Sequence, residues 1–133
     1  MDYVLGYSCA NDISARDVQL KMSHQWAFGK SFDNFAPIGP YLVTGIENPE
    51  ELHVQFRLNG ELLQDQPVAD MIFPIKQLIA HLSAGMTLYP GTVILTGTPA
   101  GVGMARDPQR FLKAGDVAEV TIGEVGTLRN TIC

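Results

Sequence analysis

Residues 53–65, His-Val-Gln-Phe-Arg-Leu-Asn-Gly-Glu-Leu-Leu-Gln-Asp, constrain the fold more than any other stretch of the chain. Val54, Phe56 and Leu58 alternate with His53, Gln55 and Arg57, the period-2 pattern of a strand with one buried face. Asn59-Gly60 follows directly, and a tight hairpin turn needs residues that accept positive φ, which Asn-Gly supplies. Residues 61–65 are therefore expected to pair back on 53–58. Near the other end, Val117–Ile122 alternates as a strand after the Ala114-Gly115-Asp116 turn, and residues 126–132 read as a last strand.

Further strands are expected at 3–10, an uncharged run suited to burial on both faces, at 41–44, and at 93–96, a short apolar run that reads as a buried strand. Residues 32–40 read as an ordered loop rich in Pro and Gly, and Asn48-Pro49-Glu50-Glu51 and Tyr89-Pro90-Gly91-Thr92 as turns. The clearest helix spans 74–83: Pro74 opens it, Ile75, Leu78, Ile79 and Leu82 share one face, and Gly85 stands just past its end. Several strands with turn signals and two helices give an α+β, β-rich domain with an antiparallel or mixed sheet, not a βαβ repeat. At 133 residues one domain suffices, and it needs no staples to bury a core.

The residues that could carry chemistry concentrate in 6–30. Ser14 with Asp17 has the spacing of a capping box, which starts a second helix running to about Met22 and puts Asn11 and Asp12 at the strand-to-helix turn. Arg16 and Gln19, three apart, then share a helix face. A carboxylate at Asp12, a guanidinium at Arg16, an amide at Gln19 and an ammonium at Lys30 form a set able to hold an anionic, oxygen-rich ligand and a hard cation. The plain alternative has Asp12 capping the helix and Arg16, Asp17 and Lys30 solvated on the surface, and spacing alone leaves both readings open.

Residues 97–103, Gly-Thr-Pro-Ala-Gly-Val-Gly, invite a phosphate-loop reading, which fails because no Lys-Ser/Thr follows and residues 104–108 do not open a helix. Those glycines let backbone come close to a ligand or turn sharply, with the Thr98 hydroxyl and nearby amides on offer. A net charge of -5, from 14 acidic and 9 basic residues without a basic block, argues against a nucleic-acid partner. No apolar run approaches a membrane span. Cys9 and Cys133 share no metal-type spacing and suit a reducing compartment, cytoplasmic or mitochondrial, and Met-Asp-Tyr-Val begins no secretory signal.

Six ordered blocks belong together: Asn-Asp-Ile-Ser-Ala-Arg-Asp at 11–17, Gln-Trp-x-x-Gly-Lys-Ser-Phe-Asp-x-Phe-x-Pro-x-Gly-Pro at 25–40, Asp-Met-Ile-Phe at 70–73, Thr-Leu-x-Pro-Gly at 87–91, Thr-Gly-Thr-Pro-Ala-Gly-Val-Gly at 96–103 and Gly-Thr-Leu-Arg-Asn at 126–130. At these spacings the chain, from Gly6 to Asn130, closely resembles the fumarylacetoacetate hydrolase family. The resemblance implies a β-sandwich roll on a mixed sheet, usually paired into homodimers. It implies an enzyme that hydrolyses, decarboxylates or tautomerises small oxo acids with Mg2+ or Mn2+, including acylpyruvates, oxaloacetate and dicarboxylates of aromatic catabolism. By resemblance Asp12 is a metal ligand, Arg16 and Gln19 contact substrate, Lys30 stands beside the metal and the reacting oxygen, and Thr98 holds a substrate carboxylate. A metal ion chelated by a 2-oxo acid would stabilise the enolate shared by all three reactions.

The chain departs from that pattern too. The family's Glu-x-Glu pair, and the His and Glu of its lid, stand upstream of the block that here begins at Gly6, and Glu61, Glu124, His24, His53 and His81 do not replace them. Val68 stands where a threonine is often found. With Asp12 as the one carboxylate of the set, metal binding is expected to be weak. Two functions follow as expectations: the C-terminal catalytic portion of an oxo-acid enzyme, or a non-catalytic truncated homologue that keeps the fold and a dimerising surface. A sheet edge left bare would favour self-association.

Overall fold

The computed structural model describes residues 1–22 and 24–133 and contains strands β1 (Tyr7–Ala10), β2 (Ile38–Val43), β3 (His53–Leu58) and β4 (Glu61–Pro67), helix α1 (Ile75–Gly85), and strands β5 (Val117–Ile122) and β6 (Gly126–Thr131). β3 and β4 form the expected hairpin, and Asn59 and Gly60 take φ of 53° and 83° as its turn requires. Asn59 does more than turn. Its N–H donates to Val117 O, its Oδ1 accepts from Val117 N–H and its Nδ2 donates to Asp116 Oδ1, each at 2.8 Å, so the hairpin tip is tied to the start of β5.

A four-stranded antiparallel sheet results, ordered β4-β3-β5-β6, beside a two-stranded antiparallel ribbon of β1 and β2. Register sorts the sheet's faces. Phe56, Val120 and Leu128 lie in one row across β3, β5 and β6, and Leu58, Ala118 and Asn130 in the next. Arg57, Glu119 and Arg129 fill a row on the opposite face, where Thr121 and Thr127 hydroxyls sit 3.0 Å apart and Arg129 Nε pairs with Glu119 at 3.3 Å. One face is thus apolar and one polar, as a sheet covered on one side requires.

The ribbon supplies the cover. Cys9 packs with Val120, Val125 and Leu128, bordered by Tyr7, Val43, Ile46, Leu52, Phe56 and Ile122. A second cluster of Leu58, Leu63 and Ala118 lies along the same face, with Leu112 and Ile132 against it. On that face Asn130 Oδ1 is buried and accepts no hydrogen bond among the described residues.

Three expectations need correction. β1 begins at Tyr7, not at residue 3: its pairing with β2 starts at Tyr7–Val43, and Tyr3 beyond that pairing is fully exposed. Residues 93–96 form no strand and are not buried, Val93 being 64% exposed. Their apolar side chains suit a strand, but no neighbouring backbone offers them ladder partners. Finally, 41–44 underestimates β2, which starts at Ile38 because Ala10 and Cys9 pair with Ile38 and Gly39. Helix α1 forms much as its periodicity predicts, yet of its apolar stripe only Ile75 is buried, and α1 has no extensive contact with either sheet.

Candidate functional site

The chain leaves β1 through a tight turn in which Asn11 N–H donates to Pro37 O at 3.1 Å and Ile13 N–H to Asn11 O at 3.0 Å. Ala15 N–H then donates to Gly29 O at 2.8 Å, tying the start of this segment to the 3-10 turn Trp26–Lys30. Glycine is needed for that approach: a Cβ on Gly29 would stand 2.8 Å from Gln19 Cβ and 3.0 Å from Ala15 O. The crossing carries Lys30 to Asp12. Lys30 Nζ forms an ion pair with Asp12 Oδ2 and donates to Ser14 Oγ at 2.8 Å, while Ser14 Oγ donates to Asp12 O at 3.2 Å.

Ser14 is therefore no helix cap, contrary to the capping-box spacing. Its hydroxyl is engaged by Lys30 and the Asp12 carbonyl, and Asp17 Oδ1 takes the Val18 N–H itself at 2.9 Å. The segment winds as a π-helical turn over Val18–Met22 rather than a regular α-helix. Arg16 and Gln19 do meet: Arg16 Nη1 donates to Gln19 Oε1 at 2.6 Å. Gln19 is 3% exposed, the one buried polar side chain among the described residues, so it holds the guanidinium from below.

Thr98 belongs to a different support. It lies in a segment without regular structure, and Gln64 on β4 donates Nε2 to Thr98 Oγ1 at 2.9 Å and to Pro99 O at 2.6 Å. Asp12, Arg16, Lys30, Gln64 and Thr98 line one open concavity of about 3050 Å³, and Gln19 does not. Ligand pockets usually hold about 300–1,000 Å³. Asp12, Lys30 and Ser14 are in contact with one another and Arg16 follows one turn on, whereas Thr98 shares with them the lining of this large space and is held by Gln64.

Ser14 and Gln64 escaped the sequence reading for different reasons. The spacing of Ser14 to Asp17 points to a cap, and only the arrival of Lys30 reveals its other partner. Gln64 stands 34 positions from Thr98, and no local spacing links the two.

No group of three or more His, Cys, Asp and Glu side chains stands together among the described residues. The described residues thus show no complete metal site, and the Asp12 carboxylate is paired with the Lys30 ammonium. None of the three histidines lines the concavity, and His53 Nδ1 sits 3.1 Å from Asp65 Oδ1 on the hairpin. Burial pushes the Cys9 thiol up, and its Sγ donates to Gly126 O at 3.2 Å, which makes it a packed core group and not a nucleophile. No helix among the described residues is long and apolar enough to cross a membrane.

The family profile described as "Fumarylacetoacetate (FAA) hydrolase C-terminal" matches residues 1–133, the whole chain. The chain belongs to this family. Among curated relatives of the family, oxaloacetate tautomerase YisK of Bacillus subtilis is 50% identical over 133 residues, covering 98% of this chain and 44% of YisK. The mitochondrial oxaloacetate tautomerase Fahd2a of Rattus norvegicus is 47% identical, covering 99% of this chain and 43% of the rat protein. In three dimensions the chain superposes on the fumarylacetoacetate hydrolase of psychrophilic Exiguobacterium antarcticum with a TM-score of 0.95 at 43% identity, over 98% of this chain and 47% of that one. It also matches 2-hydroxyhepta-2,4-diene-1,7-dioate isomerase of Mycobacterium marinum, with a TM-score of 0.88 at 42% identity over 98% and 48%. The chain therefore spans less than half the length of these relatives, and the α+β, β-rich architecture is that of the family's C-terminal domain.

Proposed function

We propose that this chain supplies one wall of an active site for small 2-oxo or 1,3-dicarbonyl acids that react through an enolate. The observation that carries the reading is the Lys30 ammonium fixed between the Asp12 carboxylate and the Ser14 hydroxyl, on a concave surface that Arg16 also lines. An ammonium has three donors, and two are taken here, which leaves one for a developing oxyanion. Arg16, steadied by Gln19, forks onto a substrate carboxylate, and the Thr98 hydroxyl donates to a carboxylate oxygen. As the carbon–hydrogen bond next to the carbonyl breaks, its proton passes to solvent water, its electron pair moves onto the carbonyl oxygen, and Lys30 offsets the charge there. Asp12 would share a Mg2+ or Mn2+ with oxygens of the substrate, and such a cation supplies Lewis-acid polarisation when bound.

Between hydrolysis, decarboxylation and tautomerisation, the names of the relatives favour tautomerisation of oxaloacetate. The reading extends to a homodimer or other self-association. It extends also to a reducing compartment, cytoplasm or mitochondrion, in keeping with two free thiols and with relatives named mitochondrial.

The test follows the ultraviolet decay of enol-oxaloacetate with Mg2+ and the folded 133-residue chain. Acceleration over buffer is expected, and Lys30→Met should lower it by about 100-fold. Decay at the buffer rate, or an unaffected Lys30→Met variant, would overturn the proposal. A second reading, a non-catalytic homologue that keeps the fold, is favoured by the lack of any cluster of three or more metal-suited side chains among the described residues. Titration calorimetry with Mg2+ and oxalate separates the two: metal-dependent binding lost in Asp12→Ala supports the active site, and no heat supports the second reading.

A further inference from the structure

We propose that Gln64 is a positioning residue for Thr98, fixing the direction in which the threonine hydroxyl gives its proton; the substrate part of this inference rests on the function proposed above. The orientation of the Gln64 amide follows from its partners. Pro99 O can only accept, so the group 2.6 Å from it must be the NH2, and the same nitrogen lies 2.9 Å from Thr98 Oγ1. Both amide hydrogens are thereby used. Thr98 Oγ1 is the acceptor in this contact, and its own hydrogen points away from Gln64, free for an anionic oxygen.

The glycine segment is brought to β4 by more than one glutamine. A Cβ on Gly101 would overlap the Leu63 carbonyl oxygen, and one on Gly103 would overlap Arg110 O, so both glycines are closely seated. Arg106 closes the same contact, donating Nη2 to Leu63 O at 2.6 Å and Nε to Gly101 O at 3.1 Å. Leu63 and Gln64 therefore hold the segment at neighbouring points of one strand. Leu63 and Arg106 fix the backbone, and Gln64 is the contact that reaches a hydroxyl. The neighbouring Arg110–Glu61 ion pair ties residues further along to the start of β4.

Replacement of Gln64 by Glu keeps size and reverses the hydrogen-bond sense: a carboxylate accepts from Thr98, draws the hydroxyl proton to itself and repels Pro99 O. With Mg2+ and oxalate as probe, Gln64→Glu and Thr98→Val should each weaken binding about 10-fold, as loss of one hydrogen bond to an ionised acceptor does. In a Thr98→Val background Gln64→Met, which adds no charge to the concavity that residue 64 lines, should add less than about 2-fold, because the group it acts through is gone. Additive losses would overturn the proposal.

A second measurement needs no ligand. Three-bond NMR couplings to Thr98 Cγ2 should report one χ1 rotamer in the wild-type chain and averaging in Gln64→Ala, with thermal melts confirming that both are folded. A Thr98 rotamer that stays fixed without Gln64 would sink the positioning role. Wild-type chain that binds no oxalate would instead count against the active-site reading and against substrate delivery by Thr98, while the couplings decide the positioning role by themselves.

Discussion

Lys30 has two oxygen partners of different kinds, and they do not do the same work. Asp12 holds the ammonium by charge, whereas Ser14 fixes the direction of one donor while bonding back to the Asp12 carbonyl. Ser14→Ala should therefore leave KM for oxaloacetate near its wild-type value and lower kcat by about 10-fold, the worth of one hydrogen bond to a charged group. Steady-state kinetics of the two variables separately is the check. A second residue-scale prediction concerns Asp116. The Asn59 amide first, and the Lys113 N–H second, hold its carboxyl below the ordinary range. A lowered folded pKa contributes stability above the unfolded value of about 3.9 and loses it as pH falls through the folded one. Urea midpoints should thus show Asp116→Asn less stable than wild type at neutral pH, with the difference closing in acid.

At the scale of elements, what could be read in advance were the parts whose causes are local. Asn59-Gly60 states its own turn, β5 alternates into Ala118 and Val120, and α1 follows its periodicity. Local pattern failed wherever a distant partner decides. Val93, Ile94 and Leu95 look like a strand, but a strand is a property of two backbones. Ser14 looks like a cap until Lys30 arrives from sixteen positions on. Likewise the Asp12, Arg16 and Lys30 cluster was legible as a set of residue types, while its assembly depended on the Gly29–Ala15 crossing, and the Gln64–Thr98 contact had no sequence signal at all. The docking of the glycine segment on β4 gives a test of such nonlocal support. Gly101 has φ of 105° and no room for a Cβ beside Leu63 O, so Gly101→Ala should cost about 2–4 kcal/mol in urea unfolding.

Taken whole, the molecule exposes 9272 Å², where a compact monomer of 14.5 kDa is expected to show roughly 6,900 Å². Much of the exposed surface is apolar: Ile72 is 90% exposed, Tyr89 72%, and Val93 and Leu95, which line the large concavity, are 64% and 44% exposed. Exposed apolar patches of this extent mark places where another surface can pack, a second copy of the chain among them. Light scattering behind size-exclusion chromatography should therefore give a mass above that of one chain, rising with concentration; a sharp monomer at every concentration would contradict it. Family membership was readable at this scale because six blocks spread over the whole chain keep their order and spacing, whereas a concavity lined from many distant segments has no counterpart in any local pattern.

The bond between Ala15 and Gly29 has one more implication. It closes the intervening residues into an excursion with a pinned neck, so that Asp12, Ser14 and Lys30 all sit at the neck and none at the tip. A change that loosened the Ala15–Gly29 crossing would therefore part the ammonium from both of its oxygen partners at once.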